Sequence, residues 1–298
     1  MNLFITGATG FIGSNLVSFL LNTNVNLTVN VRSDKRINFS NKITTYTLQK
    51  RSIEDDINFF KKKKFDGIIH LASLYIKSHK PTNIEDLIDS NVGFSTYVLE
   101  CAVKSKIKWF INTGTFFQNK NNKDYSPVNL YSATKEAFAN IAKYYYEKNL
   151  INFYTIKLSD TYGLNDLRSK ILNILIDSVR SEKHVSMLGN PNQKINLLHV
   201  RDVVNAFYIL ANQSFNNKNN FLNGSTFCIK SSKDYTLKEI TELINKYSKN
   251  DLNISWENCN ESISIPEPKN RINIPQWKQQ IFLEEGIKEI FISLNTND

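Results

Sequence analysis

The sequence predicts an α/β fold in which a doubly wound parallel sheet is joined to a smaller, discontinuous C-terminal domain. Short apolar runs alternate with longer stretches of helical periodicity from the N-terminus to about Gly163. A glycine-rich turn follows the first apolar run, and the regular alternation stops after Gly163. Parallel sheets are covered by helices on both faces, so strands and helices alternate along such chains.

The predicted strands are the apolar runs Leu3–Thr6, Leu27–Val31, Gly67–Ala72, Trp109–Thr113, Asn152–Leu158 and Thr226–Ile229. Helical periodicity occupies segments between them, roughly Gly13–Leu21, Ile84–Lys104, Tyr131–Lys148 and Asp202–Asn212. Two further helices, Ile171–Arg180 and Leu283–Leu294, lie where the alternation is lost. We therefore expect one domain from residues 1–164 with about 195–230, and a second from about 165–194 and 231–298.

Composition excludes several classes of protein. The chain has 298 residues and is 41% hydrophobic, which is typical of a folded protein rather than a disordered one. No run approaches the roughly 20 apolar residues of a membrane span. The segment Met1–Gly7 enters a strand and turn at once, without the features of a secretory signal, so we expect a cytoplasmic protein.

Cysteine usage and charge argue against a metal site and against nucleic-acid binding. Cys101, Cys228 and Cys259 are widely spaced and form no Cys-x-x-Cys motif, which fits a reducing compartment without a bound metal. The net charge of +9 raises the question of nucleic acid. The lysines are scattered, however, and the run Lys61–Lys64 is better explained as a solvated surface turn.

A phosphate-binding turn is predicted over Thr6–Gly13, where the glycines are spaced G-x-x-G-x-x-G between the first strand and the first helix. Glycine lets the backbone turn tightly and approach a pyrophosphate, and a helix N-terminus offers free N–H groups. The alternative is an ordinary glycine-rich turn. The strand–turn–helix context favours a Rossmann-like domain for a dinucleotide, which places cofactor binding in the larger domain and substrate binding in the smaller one.

The end of the second predicted strand favours NADP(H) over NAD(H). NAD-binding domains usually carry an acidic residue there for the ribose 2′-hydroxyl. This sequence has Val29–Ser33 without an acid, and Arg32 could pair with a 2′-phosphate. Two alternatives leave NAD(H) possible: Arg32 is a plain surface charge, or it stacks on adenine.

A tyrosine and a lysine four residues apart, Tyr131 and Lys135, lie at the start of a predicted helix and share one side of it. A nearby ammonium favours the phenolate and lowers the pKa of a tyrosine from its usual value of about 10. Such a phenol can exchange a proton with a sugar oxygen while hydride moves at a nicotinamide. Considered alone, the pair could also be an ordinary pair on a helix surface.

The order and spacing of several motifs resemble the extended short-chain dehydrogenase/reductases, the NAD(P)-dependent sugar-nucleotide epimerase/dehydratase group. The resemblance covers nearly the whole chain and rests on Thr6–Gly13, His70–Ser73, Asn91-Val92, Thr113–Thr115, Tyr131–Lys135, Tyr162-Gly163 and His199–Val204. Three segments, Thr113–Gln118, Ser126–Tyr131 and Ser159–Gly163, are similar to a subgroup of 4-ketoreductases of the CDP-abequose and CDP-paratose synthase type.

The resemblance implies roles for individual residues. Tyr131 would be the acid/base, Lys135 would orient the nicotinamide ribose, and Thr115 would donate a hydrogen bond to the reacting sugar oxygen. Asp160 stands where many relatives have a substrate-contacting Asn, and Phe116 is a further expected substrate contact. The expected cofactor contacts are Gly7, Gly10, Phe11, Ile12, Gly13, Arg32, Leu71, Ala72, Ser73, Tyr131 and Lys135.

Departures from the family pattern narrow the expected activity. Dehydratases follow the catalytic Thr with Asp-Glu, whereas Thr115 is followed by Phe116-Phe117, so 4,6-dehydration is excluded. The Cys and His that assist epimerisation beside a ketone are not evident nearby. Many relatives grip the substrate phosphates with Arg-Asp-Phe; this chain has Ile195-Asn196-Leu197, leaving Lys194 or Arg271 as substitutes.

The resulting hypothesis is an NADPH-dependent reduction of the 4-keto group of a nucleotide-linked 6-deoxy or 3,6-dideoxy sugar, in the biosynthesis of surface-polysaccharide sugars such as those of O-antigens. The main alternative is a nucleotide-sugar 4-epimerase with tightly held NAD, and a more distant one is a non-catalytic NAD(P)-binding regulator. A homodimer is expected from pairing of the Ile84–Lys104 and Tyr131–Lys148 helices. The apolar residues offered for that interface are Val92, Val98, Leu99 and Cys101, unless they only cover the sheet.

Overall fold

The structure, a computed structural model, describes residues 1–32, 41–48, 52–188, 190–217, 221–257, 265–269 and 272–296. Cys259 and Arg271 lie outside the described residues. The chain divides into two compact units. The first comprises Met1–Leu158, Val204–Ile229 and Pro266–Trp277, and the second comprises Ser159–Val203, Lys230–Ile265 and Lys278–Asp298.

The strands in chain order are β1 (Asn2–Thr6), β2 (Asn26–Asn30), β3 (Ile43–Tyr46), β4 (Gly67–His70), β5 (Trp109–Thr115), β6 (Asn152–Leu158), β7 (Asp160–Tyr162), β8 (Val185–Leu188), β9 (Lys194–Ile195), β10 (Leu197–His199), β11 (Thr226–Ile229), β12 (Tyr235–Thr236) and β13 (Ile254–Glu257). The α-helices are α1 (Phe11–Leu20), α2 (Ile53–Lys63), α3 (Ile84–Ile88), α4 (Phe94–Lys104), α5 (Leu130–Glu147), α6 (Ile171–Arg180), α7 (Val200–Phe215), α8 (Leu237–Tyr247) and α9 (Leu283–Thr296).

Within the described residues, the first unit is built on a seven-stranded sheet in the order β11-β6-β5-β4-β1-β2-β3, with every neighbouring pair parallel. This confirms the predicted α/β, doubly wound, Rossmann-like sheet. The strand order reverses at β1, which pairs with β2 on one side and β4 on the other. Thr6 pairs with His70, so the segments that leave β1 and β4 begin side by side at the carboxyl edge, where open sheets bind ligands.

One strand and one helix of the sheet region were absent from the sequence prediction. β3 has the sequence ITTY with Thr44 and Thr45 exposed, so it lacks the apolar run that marks the central strands. α2 follows it, with Lys61–Lys63 in its last turn and Lys64 as a left-handed C-cap. The run is solvent-exposed at Lys61, Lys62 and Lys64, as predicted, but it forms the end of a helix, so the prediction of a turn is wrong. Lysines at a helix C-terminus and acids in its first turn both interact favourably with the helix dipole.

The stretch predicted as one helix over Ile84–Lys104 contains three segments. α3 and α4 are separated by a π-helical turn, Asp89–Gly93, in which each N–H reaches one residue further back than in an α-helix. The wider turn contains the buried Asn91. Hydrophobic periodicity does not distinguish a π turn from the α-helix around it, so no sequence pattern indicated this turn.

Three of the residues predicted for the dimer interface lie in the apolar core of the first unit. Val98, Leu99 and Cys101 are all 0% exposed and pack in the same apolar cluster as Phe4, Phe110 and Phe138 beside the sheet. They cover the sheet and offer no apolar surface, so the interpretation of these three as an interface is wrong. Val92 is half-buried. No helix in the described ranges is long and apolar enough to cross a membrane.

The second unit has its own apolar core, formed by α6, α8 and α9 with short strand pairs. β7 pairs with β10 and β8 with β13 in parallel, while β9 and β12 are antiparallel. α8 begins at a capping box, because Thr236 accepts from the Glu239 backbone N–H while the Glu239 carboxylate accepts from Thr236. The core side chains include Leu175, Ile240, Ile244, Ile287 and Phe291.

Candidate active site

The turn between β1 and α1 is shaped by two glycines. Gly7 has φ +71°, and a Cβ there would lie 2.5 Å from the Ala72 backbone nitrogen. A Cβ on Gly13 would lie 2.0 Å from the Gly7 carbonyl oxygen. Only glycine therefore lets the turn pack against the segment after β4 and lets α1 start directly on the turn. The N-cap is Gly10, which has no side chain to cap α1, and the N-terminus of a helix attracts anions.

A groove of about 720 Å³ lies in the first unit beside this turn. The structure places six of the predicted cofactor residues around it: Gly7, Gly10, Arg32, Leu71, Ala72 and Ser73. Phe11, Ile12 and Gly13 form the first turn of α1. Two carboxylates that the sequence analysis missed, Asp86 and Asp89, also line the groove. They are remote from the glycine turn in sequence and carry no motif, so no local signal could have identified them.

The end of β2 presents a cation and an amide to the groove. Arg32 is exposed, and Asn30 uses its side-chain oxygen to accept a hydrogen bond from the Leu48 backbone N–H at 3.2 Å. Asn30 thereby ties β2 to the segment after β3. Arg32 places a guanidinium, with its planar set of N–H donors, at the groove.

The helix that carries Tyr131 and Lys135 has a well-defined start. The Asn129 side chain caps α5 by accepting a hydrogen bond from the Ser132 backbone N–H at 3.0 Å. In return, the Ser132 hydroxyl oxygen accepts a hydrogen bond from the Asn129 backbone N–H. Tyr131 therefore lies in the first turn and Lys135 one turn later. The half-buried ring of Tyr131 meets the ring of Tyr75 edge to face, with centroids 4.9 Å apart.

Lys135 is a buried cation whose partner is not supplied by the described residues. It is 1% exposed, and its Nζ has no hydrogen-bond partner in that part of the chain. Burial lowers the pKa of Lys135 from 10.5 to about 8. An ammonium in this situation needs oxygen acceptors, and the vicinal hydroxyls of a ribose would provide them. The unsatisfied ammonium and the glycine cradle together fit a dinucleotide.

Thr115 ends β5 and starts a short 3₁₀ turn, Phe116–Gln118. Its Oγ1 accepts from the Phe117 backbone N–H at 3.3 Å, which leaves the hydroxyl hydrogen able to donate. The Thr115 backbone N–H donates to the Gln118 side-chain oxygen at 2.8 Å. Phe116 is only 2% exposed.

Two buried polar residues of the quoted motifs hold the segments around the site. The Asn91 side chain accepts from the Leu74 backbone N–H at 2.7 Å and donates to the Leu74 carbonyl and to Thr134 on α5, both at 3.0 Å. His70 lies between the hydroxyls of Thr6 (2.8 Å) and Ser95 (2.9 Å). Burial first, and then the charge of Lys135, hold the pKa of His70 well below its usual range, so the ring is neutral.

The remaining predicted substrate residues lie in the second unit. Asp160 is paired with Lys170 at 2.8 Å, with side chains 30% and 21% exposed. Asn196, at the position where the resemblance implies an Asp, is 3% exposed and hydrogen-bonds the Ser231 backbone and the Asp234 carboxylate. Its surroundings identify it as a structural residue of this unit. Lys194 is exposed on β9.

Comparison with known proteins gives a consistent family. The family model described as "NAD dependent epimerase/dehydratase family" matches residues 3–223. The CDP-abequose synthase of Yersinia pseudotuberculosis is 27% identical over 276 residues, which is 91% of this chain and 93% of the relative. The CDP-abequose synthase of Salmonella muenchen is 25% identical over 302 residues, covering 97% and 96% of the two chains.

Solved structures share the fold at lower identity. The UDP-glucose 4-epimerase of Thermotoga maritima, solved with UDP-glucose, superimposes with a TM-score of 0.83 at 17% identity. The match covers 100% of this chain and 99% of that one. At this identity the likeness establishes the architecture of the chain and not its reaction.

Proposed function

Because the chain belongs to the NAD dependent epimerase/dehydratase family, we propose that it reduces the 4-keto group of a nucleotide-linked 6-deoxy or 3,6-dideoxy sugar with NADPH. The observation that carries the proposal is the buried Lys135 ammonium, without a partner in the described residues, one helical turn from Tyr131. The two CDP-abequose synthases, which match this chain over nearly its full length, support the sugar class.

The proposed chemistry uses three side chains of the first unit. When bound in the groove, NADPH would supply the hydride for C4 of the sugar. Thr115 donates its hydroxyl hydrogen to the carbonyl oxygen and polarises it, and Tyr131 donates its proton to the same oxygen as the alcohol forms. Lys135 would bind the nicotinamide ribose. Its positive charge favours the phenolate form that Tyr131 takes once it has given up its proton. The ketone, NADPH and one proton thereby give the alcohol and NADP⁺.

The proposed preference for NADPH rests on Arg32. Its guanidinium lines the groove, and arginine pairs with phosphate through two parallel charge-assisted hydrogen bonds. We propose that the first unit holds the dinucleotide in this groove and that the second unit contributes to substrate binding. The Asp160–Lys170 pair gives the second unit polar groups suited to a sugar nucleotide.

A 4-epimerase with tightly held NAD is the second candidate, and the matched family, whose description names NAD and epimerases, favours it. The same tyrosine, lysine and threonine would then oxidise and reduce C4 in turn. A reductase consumes one NADPH for each sugar, whereas an epimerase has no net consumption of cofactor. A non-catalytic regulator would not need a buried, unpartnered ammonium beside a phenol, because burial of this charge costs stability.

The test is a panel of nucleotide-linked 4-keto sugars offered with NADPH and separately with NADH. Loss of nicotinamide absorbance should accompany formation of the alcohol, whose C4 stereochemistry is obtained by NMR. A 4-hydroxy sugar nucleotide with catalytic NAD serves as the matched assay for the epimerase. If no member of the panel is accompanied by NADPH oxidation, and the C4 epimers are interconverted, the reductase hypothesis is refuted and the epimerase hypothesis is supported.

A further inference from the structure

A buried polar cluster lies behind the segment that carries Thr115. It consists of Gln118, Asn119, Glu136 and Lys157, contributed by the turn after β5, by α5 and by β6. Gln118 and Asn119 are 1% and 2% exposed, and the side chains of Lys157 and Glu136 are 11% and 21% exposed. Nothing in the proposed chemistry so far uses these residues.

The orientation of the Gln118 amide is fixed from both sides. Its Oε1 accepts from the Thr115 backbone N–H at 2.8 Å, and its Nε2 donates to Oε2 of Glu136. An ionised carboxylate can only accept, so Glu136 allows only the nitrogen end of the amide to face it. The reversed amide would set Nε2 against the Thr115 N–H, donor against donor. Glu136 thereby determines which atom of Gln118 holds the Thr115 backbone.

Lys157 supplies a positive charge that compensates the negative charge of Glu136, which is largely removed from solvent. Its Nζ lies 3.8 Å from Glu136 Oε2 and donates to Asn119 Oδ1 at 2.9 Å. The Asn119 Nδ2 in turn donates to the carbonyls of Lys123 and Asp124, at 3.0 and 2.6 Å. The Glu136–Lys157 pair therefore holds the segment from Thr115 to Asp124 at two points.

The residue before Thr115 leaves space for the cluster. A Cβ on Gly114 would lie 2.8 Å from Cγ of Lys157 and 3.0 Å from Oε1 of Gln118. Contacts this short would displace either the lysine stem or the amide oxygen that accepts from Thr115. Glycine at position 114 is therefore part of the same arrangement.

We propose that Glu136 and Lys157 are positioning residues that, through Gln118 and Asn119, fix Thr115 where its hydroxyl meets the substrate carbonyl oxygen. The inference rests on the proposed function, because it assigns the cluster to the residue that polarises the carbonyl. The proposed role of the cluster is the placement of Thr115, through the hydrogen bond from its backbone N–H to Gln118.

An exchange of donor and acceptor tests the proposal. Glu136→Gln replaces a carboxylate that can only accept by an amide that can turn either end toward Gln118, and Gln118→Glu sets two carboxylates against each other. Each should lower kcat about tenfold, since misplacing a reacting group by about 1 Å can cost up to about 10²-fold. The double variant Gln118→Glu/Glu136→Gln again offers an acceptor to the Thr115 N–H and a donor between the two side chains. It keeps one carboxylate within the cluster and should recover most of kcat, while KM for NADPH stays unchanged throughout.

The control and a second measurement separate this proposal from the proposed function. Glu147→Gln changes an exposed pair on the same helix, with Lys143 3.5 Å away, and should leave kcat unaltered. Hydrogen exchange of peptides covering Thr115 should quicken in Glu136→Gln and return in the double variant. Unchanged exchange in Glu136→Gln, or a double variant no better than either single, overturns the proposal. Failure of the unmodified protein to reduce any 4-keto sugar would overturn only the proposed function. The hydrogen-exchange measurement would still test whether the cluster positions Thr115.

Discussion

Replacing Lys135 with methionine should stabilise the cofactor-free protein. Burial lowers the pKa of Lys135 from 10.5 to about 8. At about 1.4 kcal/mol for each pKa unit, this difference corresponds to about 3 kcal/mol of unfolding free energy. Methionine fills a similar apolar volume without a charge. We therefore expect a gain of up to about 3 kcal/mol at pH 7, measured by urea denaturation, together with weaker NADPH binding because the ribose contact is lost.

The gain should also depend on pH in a defined direction. Below pH 8 both the folded and the unfolded chain carry the proton on Lys135, and the folded state bears the full cost of burying the charge. Between pH 8 and 10.5 the folded state loses the proton while the unfolded chain keeps it, so the cost declines. The stability difference between Lys135→Met and the unmodified protein should thus shrink over this range and vanish above pH 10.5.

Lys143→Met is the matched control, because this lysine lies on the same helix and its side chain is 56% exposed. It should leave stability nearly unchanged and show no corresponding pH dependence. A Lys135→Met protein that is less stable than the unmodified one at pH 7, or whose stability difference does not change with pH, would refute the reasoning. NADPH affinity equal to that of the unmodified protein would contradict the assigned ribose contact.

Three further predictions concern the reaction, the cofactor and the assembly. Tyr131→Phe should lower turnover by about 10²–10⁴ while melting temperature and NADPH affinity stay nearly constant; normal turnover by the folded variant would contradict the proton-donor role. Arg32→Asp should cost NADPH about 1.5–3 kcal/mol of binding free energy in a fluorescence titration, and equal affinity of the unmodified protein for NADH and NADPH would contradict the preference. A homodimer should appear in analytical ultracentrifugation, and Tyr144→Arg, at a side chain 62% exposed on α5, should weaken it; a monomer at all concentrations would contradict the prediction.

The parts of the fold that depend on neighbouring residues were predicted well. Buried parallel strands such as β4 and β6 are largely apolar runs, and the glycine turn lies between a strand and a helix that are adjacent in sequence. The edge strand β3 was missed because half of it faces solvent and its threonines carry no apolar signal. Val98, Leu99 and Cys101 have the same apolar character at an interface or in a core, so only the packing could assign them to the core.

The candidate site likewise has features that the sequence predicts and features that only the packing of distant segments determines. The sequence alone determined the glycine turn and the placement of Tyr131 and Lys135 one turn apart on a helix, because both are spacings within one turn or one helix. Only the tertiary structure decided that Lys135 is buried without a partner in the described residues, and that Lys157 meets Glu136 behind Thr115. In the sequence, the one indication of this cluster was Lys157, a lysine within the largely apolar strand β6. Desolvation and hydrogen bonding between elements depend on which distant segments pack together, whereas turns and helix faces are set by residues a few positions apart.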